Sequence, residues 1–231
     1  MCFGLLAAVD SLDFEVEEGE VFGIAGPNGA GKTTLFNVIA GVYRPTGAVF
    51  FENKNITNLR ADEVCRRGIA RTFQIPQLFH TLSISDNVRV GAHFGNTDRR
   101  RVNDAMEHAL AFVGLQGKEG ITAGSLNLYD KKLTMLAAAI ATTPKLMLLD
   151  EPIGGLSPTE TRDFVLLVEK VNAELGMTVV VIEHLMKVLT RLSHRMMILE
   201  NGKKVCVGTP SDVTCDQRVI DCYLGRGNKH A

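Results

Sequence analysis

Apolar and polar positions alternate strictly where Leu12, Phe14 and Val16 are interleaved with Asp13, Glu15 and Glu17. A period of two predicts a half-buried strand, and Glu18 and Gly19 end it in a turn. Residues 21–25, VFGIA, are then apolar throughout, the pattern of a strand covered on both faces. Over 33–40 the spacing turns helical and Gly41 closes the helix, while 49–51 reads as a short strand running into a polar turn at 52–55. From about 76 to 143 strand signals are weak and helical ones dominate, 102–112 among them, which predicts a helical insertion.

Strand patterns resume beyond Pro144. Residues 146–149 are a short apolar run and 178–182 a β-branched one, and both suit central parallel strands. Between them Phe164, Leu167, Val168, Val171 and Leu175 recur at helical spacing, with Gly176 where a C-terminal cap belongs. Strand, helix and strand in that order imply a right-handed parallel crossover. Asn201-Gly202, between MMILE and KKVCV, predicts a hairpin. The fold class is therefore α/β with a doubly wound parallel-sheet core.

Composition narrows the setting. A chain of 231 residues that is 45% hydrophobic and 22% charged has enough apolar material for one substantial core, so a single folded domain is expected. Net charge is −1, so no global positive field recruits nucleic acid, and none is expected as a partner. The five cysteines contain no C-x-x-C pair and fit neither a disulfide framework nor a zinc site, which implies reduced cytosolic thiols. The N-terminus lacks a basic leader and meets Asp10 too soon for a secretory signal. The most apolar region, 133–149, is cut by Pro144 and Lys145 before it is long enough to span a bilayer.

The candidate chemistry lies in GPNGAGKTT, from Gly26 through Pro27, Asn28, Gly29, Ala30, Gly31, Lys32 and Thr33 to Thr34. It fits G-x-x-x-x-G-K-[ST] and stands between a predicted strand and a predicted helix, the context that a phosphate-binding loop requires. Glycines let successive backbone N–H groups wrap phosphate oxygens, and the helix N-terminus directs its positive dipole at the same anion. Lys32 adds a mobile positive charge at the terminal phosphates, and the Thr33 hydroxyl suits Mg2+ bound with a nucleoside triphosphate. Downstream, KLMLLDEP ends an apolar strand in Asp150 and Glu151, at the strand end where parallel sheets present ligands. Asp150 is expected to face the Mg2+ through water, and Glu151 to orient or deprotonate the water attacking the γ-phosphate.

With these residues in place the chain resembles the ATP-binding subunits of ABC transporters over nearly its whole length. The order of segments carries the resemblance: GPNGAGKTT, RTFQ with Gln74, LLDEP with Glu151, and VVVIEH with His184. The resemblance implies a P-loop ATPase with a parallel-sheet core, a small antiparallel β subdomain and a helical insertion. It puts the nucleotide-binding core at about 1–75 and 144–231 and the helical subdomain at about 76–143. It further implies that Gln74 senses Mg2+ and the γ-phosphate and that His184 contacts the γ-phosphate. Implied partners are a second ABC ATPase subunit, identical or different, and transmembrane permease subunits that hold the chain at the inner face of the cell membrane.

Within the family, GIARTFQ, GGLSPTE and VCVGTP followed by YLG look like the branched-chain amino acid uptake type, and urea-uptake and lipopolysaccharide-export subunits share much of this phrasing. A soluble ABC-type switch in DNA repair or translation is a rival, but such proteins usually carry paired ATPase domains or long insertions. Three departures matter. Where the family signature reads LSGGQ or LSYGQ, the aligned residues are Leu126, Asn127, Leu128, Tyr129 and Asp130. In the family this loop caps the ATP held by the opposite subunit, and Leu128 and Tyr129 put bulk where close backbone approach is wanted. Ser157 stands where many members carry aspartate or asparagine. The candidate for the adenine-stacking aromatic is Phe3, so near the start that the usual first strand is expected to be missing. The apolar residues Ile75, Leu78, Phe79 and Leu82 lie where the family docks a membrane-subunit helix, and core packing explains them equally well. Residues 98–101, DRRR, read as a solvated helix start.

Overall fold

The computed structural model describes residues 2–3, 6–95 and 98–224. Two short strands open the chain, β1 (Cys2–Phe3) and β2 (Leu6–Ala7), paired antiparallel. The apolar stretch follows as β3 (Val21–Ala25), which is buried along its whole length and leads through the glycine-rich loop into α1 (Lys32–Ile39). The second antiparallel pair is β4 (Phe50–Phe51) and β5 (Lys54–Asn55), joined through the polar turn. Then come α2 (Ala61–Arg66) and β6 (Ile69–Arg71), a short strand that no periodicity announces.

Three helices fill the stretch that reads as an insertion: α3 (Ile84–Gly95), α4 (Arg99–Phe112) and α5 (Leu128–Ala141). Asp98 caps α4 by accepting from the Arg100 amide at 2.9 Å, and Arg100 and Arg101 are exposed on its first turn. The chain returns to the sheet with β7 (Leu146–Asp150), α6 (Pro158–Leu175) and β8 (Thr178–Ile182). Ser157 and Glu160 close a capping box at the start of α6, and Gly176 ends it in the left-handed region at φ 64°. Last come α7 (Met186–Leu192), the hairpin β9 (Arg195–Glu200) and β10 (Lys203–Gly208), then α8 (Pro210–Cys215) and α9 (Gln217–Leu224).

The central sheet has the order β10-β9-β3-β8-β7-β6, parallel except for the edge strand β10. Successive residues feed opposite cores. Val21, Ala25, Met147, Leu149, Val179 and Val181 pack toward the helical side, whereas Phe22, Ile24, Leu148, Val180 and Ile182 pack toward α1. The register aligns Ile24 with Ile182, Asp150 with Ile182, and Arg71 with Leu148. The ends of β3, β8, β7 and β6 therefore open on one edge, and the loops leaving them share one space.

One expected strand is absent. Leu12, Phe14 and Val16 are half-buried and Asp13, Glu15 and Glu17 exposed, as the alternation required, yet this stretch forms no ladder. It packs against the α1-side core, and the Asp13 carbonyl accepts from the Lys204 ammonium at 2.6 Å instead of a strand amide. The periodicity reports one-sided burial here, not pairing.

Candidate active site

The phosphate loop leaves β3 in a conformation that few side chains tolerate. Gly26, Gly29 and Gly31 have φ of 150°, 79° and 101°. A Cβ on Gly26 would collide with the Leu199 carbonyl oxygen, and one on Gly31 with that of Ala8. The hairpin after β9 buttresses the same loop, with the Gly202 amide donating to the Ala30 carbonyl at 2.9 Å. Helix α1 has no side-chain cap at Gly31, and among the described residues the amides of Gly31, Lys32 and Thr33 find no acceptor. These are the free donors and the positive dipole end of an anion site. Lys32, 6% exposed, folds back to donate to the carbonyls of Gly26 at 2.8 Å and Pro27 at 3.0 Å. Burial lowers its pKa, and the carboxylates of Glu151 and Asp150 pull it back up.

Opposite the loop, β7 delivers its two acids into different settings. Asp150 is buried and its Oδ2 pairs with Arg71 Nη2 at 2.9 Å; burial raises its pKa, and the hydrogen bond and charge of Arg71 oppose the rise. Glu151 turns out of the strand with φ 46°, a left-handed conformation rare outside glycine. The turn carries its carboxylate between two partners: Gln74 Nε2 donates to Oε2 at 2.6 Å, and His184 Nε2 lies 2.5 Å from Oε1. Three segments far apart in sequence thus converge on one carboxylate.

Two further charges support this point, and the motifs do not name them. Lys132 on α5 is 1% exposed and donates to the carbonyls of Glu151 at 3.3 Å and Gln74 at 3.4 Å. Burial lowers its pKa, and Glu183 and Glu151 oppose that shift. Glu183, 3% exposed, accepts from the amides of Ile153 at 3.0 Å and His184 at 3.2 Å, which ties the glutamate turn to the histidine turn. Desolvation lifts its pKa to about 7. The sequence signal for Lys132 is a lysine one helical turn from the apolar Met135 and Leu136, within a helix otherwise buried.

The other expected residues fall as follows. Thr33 is exposed beside the loop. Leu126 is buried, Asn127 caps α5 by accepting from the Asp130 amide at 2.7 Å, and Asp130 pairs with Lys118 at 3.0 Å. Tyr129 packs against the helical core, while Leu128 is exposed and lies against Gly155. Among the described residues no hydrogen bond or ion pair links any of these five to Lys32, Gln74 or His184. Phe3 sits in β1, and its side chain lies outside the described residues, as does Gly225 of YLG. Of the apolar residues beyond Gln74, Leu78 packs on the core, but Ile75, Phe79 and Leu82 are exposed.

The donor set fits a hard divalent cation that arrives with a triphosphate. Thr33, Asp150 and Gln74 offer oxygens, and Asp150 Oδ1 and Gln74 Oε1 are not engaged by the partners of Oδ2 and Nε2. No group of three or more His, Cys, Asp or Glu capable of caging a metal unaided occurs among the described residues. Phosphate oxygens would have to complete the shell, the usual habit of Mg2+.

A glycine loop at a helix N-terminus, an acidic strand end and a polarised carboxylate at one edge of a parallel sheet define a P-loop nucleoside triphosphatase. A family model for ABC transporters matches residues 9–154. The high-affinity branched-chain amino acid transport ATP-binding protein BraF of Pseudomonas aeruginosa is 36% identical, over 97% of this chain and 94% of its own length. The corresponding LivG protein of Escherichia coli is 32% identical over the same shares. A crystal structure of the ADP conformation of an ABC transporter's ATP-binding cassette superposes with a TM-score of 0.87 at 31% identity, covering 96% of this chain and 94% of that one. A dimeric, post-hydrolysis cassette bound to ADP and phosphate gives 0.79 at 26% identity, covering 89% and 91%. The chain belongs to the ABC transporter family and is its ATP-binding, ATP-hydrolysing subunit.

Proposed function

We propose that this subunit powers a membrane importer for branched-chain amino acids or a similar polar solute. The names of its relatives support the solute class. The observation that carries the chemistry is the clamp of Gln74 and His184 on Glu151, at 2.6 Å and 2.5 Å, beside the loop that stores Lys32. The loop amides and Lys32 hold the phosphates, and Thr33, Gln74 and Asp150 would hold Mg2+, which would supply charge neutralisation at the phosphate oxygens. Glu151 orients a water and takes its proton, the water oxygen bonds to the γ-phosphorus, and the bond to the bridging oxygen breaks to leave ADP and phosphate. His184 turns from Glu151 to the γ-phosphate when nucleotide enters.

Work comes from differential affinity: ATP holds a closed pair of subunits through γ-phosphate contacts that ADP lacks. The altered LNLYD loop favours a different chain as the second ATPase subunit. No helix among the described residues is long and apolar enough to cross a membrane, so permease subunits supply the pore. The exposed Phe73, Ile75 and Phe79 next to Gln74 offer them an apolar foothold on the cytoplasmic face. The test is reconstitution of the purified chain with its co-purifying membrane subunits in vesicles. ATP should drive accumulation of labelled leucine or valine, and Glu151→Gln should stop it. Accumulation unaffected by that variant, or no stimulation of phosphate release by branched-chain amino acids or by related polar solutes, would overturn the reading.

A further inference from the structure

Arg71 occupies a position that the phosphate loop, the acidic strand and Gln74 all share. It ends β6, and its side chain is 8% exposed. Nη2 donates to Asp150 Oδ2 at 2.9 Å, and Nη1 donates to Asn37 Oδ1 on α1 at 2.5 Å. The guanidinium carbon stands 5.7 Å from the ring centre of Phe36, also on α1, and 5.1 Å from that of Phe73, the neighbour of Gln74. Nε is buried without a partner, so the fork is placed by its two Nη arms and two rings. One planar cation thereby fixes the distance between α1 and β7 and seats the stretch that carries Gln74.

The carboxylate it grips is 4% exposed. A carboxylate that deep has lost most of its solvation and needs a partner to be tolerated as an ion. Binding through Oδ2 leaves Oδ1 outside the grip of Arg71. We propose that Arg71 is a positioning residue for Mg2+: by holding Oδ2 it sets the rotation of the Asp150 carboxylate and presents Oδ1 to the metal that accompanies ATP. The inference rests on the nucleotide reading above. A lysine, with a single point charge, satisfies Asp150 but cannot also fork to Asn37, so the two residues are not equivalent here.

The test uses the full chain and compares the affinity for ATP in excess Mg2+ with that in EDTA. Electron paramagnetic resonance of Mn2+ bound with ATP serves as a second readout independent of turnover. For Arg71→Met the affinity in EDTA should stay at the wild-type value while the enhancement by Mg2+ falls at least tenfold. The Mn2+ spectrum should broaden, and Arg71→Lys should recover part of both. Should Arg71→Met fail to fold, Asn37→Ala cuts only the second arm and should lower the Mg2+ enhancement about threefold at unchanged affinity in EDTA. Wild-type enhancement in a folded Arg71→Met, or in Asn37→Ala when Arg71→Met does not fold, would make Arg71 a mere strut and overturn the proposal. A wild-type chain that binds no ATP in either medium would instead bring down the nucleotide reading, and this inference with it.

Discussion

Glu151 holds a left-handed backbone at φ 46°, a strain of order 1–3 kcal/mol that its surroundings maintain because it turns the carboxylate toward Gln74 and His184. Glu151→Gln keeps the shape and removes the base that the proposed function requires. ATP binding should persist while phosphate release falls by about two orders of magnitude or more, and stopped-flow binding beside steady-state turnover checks both. Glu183 supplies a second residue-scale test. Its pKa in the fold is about 7 against an ordinary 4.5, so the native state holds this proton more tightly than the unfolded chain. The stability gained is present in full below the unfolded value and lost as pH rises through about 7, a swing of ~3 kcal/mol in total. Glu183→Gln cannot ionise. Denaturant titrations should therefore show its stability relative to wild type rising from pH 5 to pH 8, and a flat or falling difference would contradict the assignment. Lys32 and Glu151 were legible because their motifs are local in sequence. Arg71 and Lys132 were not, because the partners that define them lie 34 and 79 residues away for Arg71 and 58 and 19 for Lys132.

Helices α3 and α5 approach more closely than their side chains alone suggest. A Cβ on Gly91 would overlap the Ala138 carbonyl, and one on Gly95 that of Thr142. In sequence these glycines look like helix breakers; in the fold they let two backbones touch. Gly91→Val should lower stability by about 1–3 kcal/mol through overpacking, whereas Gly120→Ala, with nothing within 4 Å, should be close to neutral. Thermal melts of the two variants decide it. The end of α6 was readable from Gly176, whereas the capping box of Ser157 and Glu160 at its start emerges only in the fold. The three-residue strand β6 was not, since Ile69, Ala70 and Arg71 are too few to show a period and are fixed by pairing with β7. The stretch 12–17 failed the other way, because burial on one side imitates a strand without the neighbour that would make it one.

At the scale of the whole molecule, strand order explains why four separated sequence segments become one site: β8 lies between β3 and β7, β6 flanks β7, and all four open on the same edge. The core was legible because each central strand is an unbroken apolar run. The hairpin's second task, bracing the phosphate loop through Gly202 and Ala30, was invisible because it joins two backbones. On the proposed function, a complete phosphate loop beside an altered LNLYD would leave the chain able to hold ATP but poorly suited to cap a partner's. Changing Leu126–Asp130 together to LSYGQ should raise ATPase activity of the purified chain if copies pair with one another; no rise would favour a different partner chain. The most direct measurement is calorimetric titration of the full chain with ATP in excess Mg2+. The account predicts saturable binding of one nucleotide per chain that Lys32→Ala abolishes. Absence of binding by the wild type, or undiminished binding by Lys32→Ala, would contradict it.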